Sequence, residues 1–192
     1  MLPRLGSSSL VTKWLAVTII VSVIGALDGG FMMHWLSLVP HRIMNGEVWR
    51  LATWPLVEPG PLALVMTCMA IFRFGTELSV SWGERRLARF KIETLLIAGV
   101  SAVILSTITH TPMLHLGGWA TGDLLVIAWA RQFPNRALSF YGLVTVYGRN
   151  LVHLTIGITA VYAIYAGIVE CSPELVTCAI AALYPTSRLA RR

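Results

Sequence analysis

FRFGTELSVSWGERRLARF, Phe72 to Phe90, is where the fold can be read from the chain. An apolar run closes through Gly75, Leu78 and Gly83, and an arginine-rich exit follows directly. Between Arg73 and Glu93 stand five basic and three acidic residues, so the segment is net positive. Arg73 and Glu77 are four apart and can pair across one helical turn. Apolar residues on both sides of a short basic connection are the pattern of two membrane helices meeting at the positive side of a bilayer.

The rest of the chain agrees. Of 192 residues, 56% are hydrophobic and 12% charged, and the mean hydropathy is +0.71. A soluble domain carries about a quarter charged residues, so lipid is the expected solvent. Runs near the roughly 20 residues that a span needs fall at 10–28, 59–76, 92–110, 115–131, 150–169 and 174–187, the last short and broken by Pro185. They lie within a single domain, 1–192. The N-terminal run resembles a secretory signal less than a first helix, because LDGGFMMHWL follows it in place of small-residue cleavage chemistry. The stretch FMMHWLSLVPHRIMNGEVWRLATWPL is too polar to cross and is expected to lie as an amphipathic first loop in the interface.

Charge sorts these spans. Arg4 and Lys13, the basic cluster after Gly83, then Arg131, Arg136 and Arg149, and finally Arg188, Arg191 and Arg192 all fall on one side. The other side holds Asp28, Glu47, Glu58, Glu170 and Glu174 against Arg42 and Arg50. Six spans with both termini on the positive side, cytosolic or matrix, satisfy this distribution. The net charge of +6 therefore flanks spans. It forms no basic face interleaved with aromatics, and nucleic acid is excluded as a partner. Cys68, Cys171 and Cys178 make no CxxC pair, and His110 and His115 stand in a short loop without an adjacent ligand. No metal or other cofactor is expected.

Two motifs at a fixed interval add a family resemblance. GEVWRLATWPL, with Trp49 beside Arg50, precedes the second span, and FGTELSVSWGERR ends it. Together they resemble the rhomboid superfamily, which carries VWR in its first loop and FGxELxxxxGxRR at the end of span two. The resemblance implies a six-helix, all-α bundle. Its proteases use a serine at the head of the fourth span and a histidine on the sixth, because a hydroxyl needs a base within reach to attack a peptide.

Here the fourth span opens GGWATGDLLVIAW, with no serine between Ser106 and Ser139, and Thr121 is the nearest hydroxyl. The run 174–187 contains no histidine, and His153 falls on the fifth span. No catalytic residue is assigned, and a pseudoenzyme is expected. Gly117, Gly118 and Gly122 read as a helix-packing seam. Asp123 is an ionisable group inside a span, a functional candidate by default, expected to accept hydrogen bonds from Thr121 or neighbouring backbone.

LLVIAWARQFPNRALSFYGLVTVYG further resembles the inactive derlin branch, through Trp129, Arg131, Pro134, Phe140, Gly142, Leu143 and Thr145. It departs from that branch in lacking loop prolines before the fifth span and a glycine–histidine pair in the last. What the resemblance implies is a protein that holds or scaffolds other membrane segments, with client segments in endoplasmic-reticulum-associated degradation as partners. Two other classes stay open at this point. One is a structural accessory subunit of a multi-subunit organellar assembly, such as a mitochondrial inner-membrane respiratory or ATP synthase complex. The other is an intramembrane serine protease.

Overall fold

The computed structural model describes residues 9–140 and 144–184. Pro185, Gly142, Leu143 and the basic residues Arg4, Arg188, Arg191 and Arg192 lie outside the described residues, as does the side chain of Phe140.

The chain is mostly helical. Helix α1 (Ser9–Leu27) is followed by three short helices, α2 (Phe31–Leu36), α3 (Pro40–Met44) and α4 (Arg50–Thr53), and by a 3₁₀ turn, Trp54–Leu56. Helix α5 (Pro61–Ala70) continues through a π turn at Ile71–Gly75 into α6 (Thr76–Trp82). Then come α7 (Glu84–Thr109), α8 (Gly118–Gln132), a β1 (Ala137–Phe140) and β2 (Val144–Tyr147) hairpin, α9 (Gly148–Ala166) and α10 (Ser172–Leu183).

Among the described residues, three helices are long and apolar enough to cross a membrane: Ser9–Leu27, Pro61–Trp82 and Glu84–Thr109. Three of the six expected spans meet this measure of length and composition. Helices α8 and α10 have 15 and 12 residues, and the 19-residue α9 carries Arg149, Asn150 and His153 in its first two turns. The antiparallel β1–β2 hairpin, with Ala137 opposite Tyr147 and Ser139 opposite Thr145, corrects the all-α expectation locally. Alternating β-branched and aromatic residues in VTVY favour a strand, where the sequence reading placed only a loop.

Sequence and packing connect through an inverted polarity. On α1 the buried positions are Val11, Trp14, Thr18, Ser22 and Gly25, at helical spacing, while Val17, Ile20, Val23, Ile24 and Leu27 are exposed. Lipid is as apolar as leucine, so close approach through small residues decides which face packs inward. The α1–α2 corner is closed by Asp28, whose carboxylate accepts from the N–H of Gly30 (3.0 Å) and of Met32 (2.9 Å). Gly83, at φ +85°, turns α6 into α7 in a conformation that a side chain would strain. Helix α8 is the axis of the bundle: it packs on α5, α9 and α10, and Leu124, Leu125, Ile127 and Trp129 are fully buried.

The first loop is a folded platform. Trp49 stacks on Trp35 with centroids 5.6 Å apart on its exposed face, together with Phe31 and Met44. Arg50 points the other way, fully buried. Its Nε donates to Glu47 (2.6 Å), and its Nη1 donates to the carbonyls of His34 (2.6 Å) and Ser37 (2.9 Å). One guanidinium thus gathers the orphan carbonyls at the end of α2. A five-donor planar fork suits this role better than a lysine point charge.

Candidate functional site

The head of α8 is where the first loop, α1 and α5 converge. Gly117 lies against the Trp54 ring and Gly118 against the Glu58 carboxylate, so closely that a Cβ at either would overlap those atoms. Glu58 is buried. Its N–H donates to Ser22 Oγ at 3.1 Å, and its Oε1 has no hydrogen-bond partner among the described residues. Burial raises the Glu58 carboxyl above its ordinary value, and a hydrogen bond with Thr67 opposes this. Gly122 differs from its two neighbours: nothing lies within 4 Å of where its Cβ would be. A Cβ would clash at Gly117 and Gly118 and would meet open space at Gly122.

That difference follows from the helical wheel. Gly118 and Trp129 face Glu58 and α6, while Asp123 faces α9 and α10. Between these sectors, at spacings of three and four, fall Trp119, Gly122 and Val126, the incompletely buried stripe of α8. The flanking helices α5 and α9 each pack on α8 and not extensively on one another. The stripe between them is incompletely covered. Val65, Met66 and Met69 on α5, and Ile158, Val161 and Tyr162 on α9, are exposed.

Asp123 is buried and accepts a hydrogen bond from Thr159 Oγ1 at 2.8 Å, with Cys178 Sγ 3.4 Å away. The carboxylate ties α8 to α9 and α10. This corrects the expected partner: Thr121 is fully buried and its Oγ1 has no hydrogen-bond partner among the described residues, because the residue two before Asp123 points about 200° away around the helix. No described base stands ready at the Thr121 hydroxyl. His153 is exposed, with Nδ1 at 2.9 Å from the carbonyl of Arg149.

At the foot of α8, Glu77 is a hub. Its Oε2 accepts from Trp129 Nε1 (2.6 Å) and Arg136 Nη1 (2.5 Å), and Arg73 pairs with its Oε1. Its neighbour Leu78 is fully buried, and a Cβ at Gly75 would meet Val11 at ordinary van der Waals distance. Arg131 donates to the carbonyls of Ala181 (3.0 Å) and Tyr184 (2.6 Å), capping α10.

The sequence reading missed one partnership altogether. His115 Nε2 lies 2.6 Å from Glu174 Oε1, joining the α7–α8 loop to the first turn of α10 across 59 positions. That loop is held to the platform by a bridge between His115 and Leu38. Only spacing along the chain was visible, and His115 has no carboxylate nearby in sequence. Among the described residues no group of three or more His, Cys, Asp or Glu could hold a metal.

The comparisons with known proteins fit this geometry. A family model described as "Eukaryotic integral membrane protein (DUF1751)" matches residues 8–184. The chain is similar to Derlin-1 of Arabidopsis thaliana, 31% identical over 114 residues, which is 57% of this chain and 41% of that protein. It is also similar to Derlin-1 of Oryza sativa subsp. japonica, 26% identical over 124 residues, or 64% and 50% of the respective chains. The chain spans about half the length of the curated relatives it matches. With the family match running from the start of α1 to the end of α10, this chain belongs to the eukaryotic integral membrane protein family DUF1751 and is a derlin-like protein of the rhomboid superfamily.

Proposed function

We propose that this chain is a non-catalytic derlin-like protein that holds hydrophobic segments of other membrane proteins in the lateral opening over α8. The observation that carries the reading is the uncovered stripe Trp119, Gly122 and Val126 between α5 and α9. A missing side chain at Gly122 leaves room for a guest helix to approach backbone-close, the contact that stabilises helix pairs in lipid. The 15-residue α8 is about 22 Å long, shorter than a hydrocarbon core of about 30 Å, and short elements thin the bilayer locally. In the six-span arrangement that the charge distribution favours, both termini stand on the positive side.

An active protease is disfavoured by the chemistry at the same place. Thr121 is sealed in packing without a base, and a hydroxyl in that state is no nucleophile. The derlin resemblance makes clients of endoplasmic-reticulum-associated degradation the first substrates to test.

A photo-crosslinker at Gly122 in native membranes is expected to capture hydrophobic segments of several different membrane proteins, whereas one at Val100, exposed on α7, is not. Capture of a single neighbour in fixed stoichiometry would assign the chain to a permanent assembly instead. Equal capture at both positions would remove the opening from consideration. Loss of cleavage of a membrane substrate on replacing Thr121 with alanine would restore the protease.

A further inference from the structure

A second feature lies on the other side of the bundle, between α1 and α7. Two adjoining grooves of about 250 and 310 Å³ share Leu56, Lys91 and Ile92 in their walls. The first also includes Lys13, Trp14 and Val17, and the second runs on past Leu51 and Leu96 toward the first-loop platform. Lys91 Nζ sits 3.1 Å from the centroid of the Trp14 ring. Trp14 is itself more than nine-tenths buried, and its indole N–H has no acceptor among the described residues.

Arg73 and Arg136 share Glu77, Arg89 holds Glu93 and Arg50 holds Glu47. Lys91 and Lys13 have no carboxylate within ion-pair distance among the described residues. Glu84, the first residue of α7, accepts from the Leu10 N–H at 3.2 Å. The attraction of an indole face for a cation is small beside that of an anion.

Depth identifies the kind of anion. Lys91 is seven residues, about 10 Å, from the positive-side end of α7, and about 27 Å of helix lies beyond it. With a hydrocarbon core of about 30 Å, Lys91 stands at the level of lipid phosphates, and the apolar groove continues from there into acyl-chain depth. We propose that this groove is a site for one anionic glycerophospholipid, with its phosphate on Lys91 and Lys13 and an acyl chain along Leu56, Ile92 and Leu96. A soluble phosphate would satisfy the lysines and leave the apolar walls unused. The site is separate from the opening over α8 and stands or falls independently of it.

The test uses the full chain in nanodiscs of phosphatidylcholine and phosphatidylglycerol in equal amounts, with retained lipids counted by native mass spectrometry. Wild type is expected to retain one phosphatidylglycerol per chain in preference to phosphatidylcholine. Lys91→Met and Lys13→Met are each expected to reduce that preference about fivefold, the effect of one basic group at an anionic surface, and Lys91→Arg to preserve it. Arg89→Gln removes a charge from the same helix end, outside the groove, and is expected to change nothing. Lys13 is exposed, so its variant reports even if Lys91→Met does not fold. Undiminished preference in the Lys13 variant, an equal loss in Arg89→Gln, equal retention of both lipids by wild type, or a copurifying peptide in place of lipid would each overturn the assignment.

Discussion

The two ends of α8 are held by opposite means. At its head, contact is made by the absence of side chains: Gly117 and Gly118 let Trp54 and Glu58 come against the backbone. At its foot, contact is made by reach: Trp129 and Arg131 extend to Glu77 on α6 and to the last carbonyls of α10. The first kind of contact tolerates no added atom. The second can lose one hydrogen bond and keep the rest. The difference teaches where this fold is brittle and where it is adjustable.

The largest effect is expected from Gly118→Val, whose branched side chain would occupy the place of the Glu58 carboxylate. We expect destabilisation beyond about 3 kcal/mol, or no folded protein, because overlap with a buried group in a close-packed site cannot relax locally. Thermal unfolding in detergent measures it. Adding Glu58→Ala to Gly118→Val should recover part of the loss, and no recovery would mean that the seam is not where the strain lies.

Next in size is Glu77→Gln at the other end. It leaves Arg73 and Arg136 without their carboxylate and weakens the bond from buried Trp129, which we place at about 1–3 kcal/mol. Unchanged stability would show that the foot of α8 is held by packing alone.

A pH effect distinguishes the ends more finely. The raised Glu58 carboxyl means that the folded state holds its proton more tightly than the unfolded chain. Its contribution is therefore fully present below the ordinary value of 4.5 and is lost as pH climbs from there through the folded value. Unfolding measured across this window is expected to show falling stability in wild type and a flatter profile in Glu58→Gln. A matching slope in both would assign the dependence elsewhere.

The smallest effect is expected at Gly122. Alanine there meets open space and should be neutral or stabilising by about 0.4–1 kcal/mol, through the lower entropy of the unfolded chain. A loss above about 1 kcal/mol would reveal that the stripe is packed, and would close the opening on which the proposed function rests.

Much of the site was legible in the residue order, but not its partnerships. Gly117 and Gly118 were recognisable as a seam because glycine pairs at a helix start admit close neighbours, yet nothing local distinguished them from Gly122. Asp123 was recognisable as an anomaly because a charge inside an apolar run is costly, whereas Thr159 and Cys178, 36 and 55 positions away, could not be deduced. Glu58 looked like a loop charge, and His115 like an interfacial histidine.

What the sequence alone determined is the solvent of this protein and its family. Apolar content, the positions of the arginines, and two motifs at a fixed interval depend only on the order of residues. Which faces turn inward, which of three glycines is crowded, and which acids find donors were decided by tertiary structure. In a lipid-embedded bundle both inner and outer faces are apolar, so hydropathy carries little information about facing. Only the meeting of small residues and buried hydrogen-bonding groups from distant helices selects the arrangement.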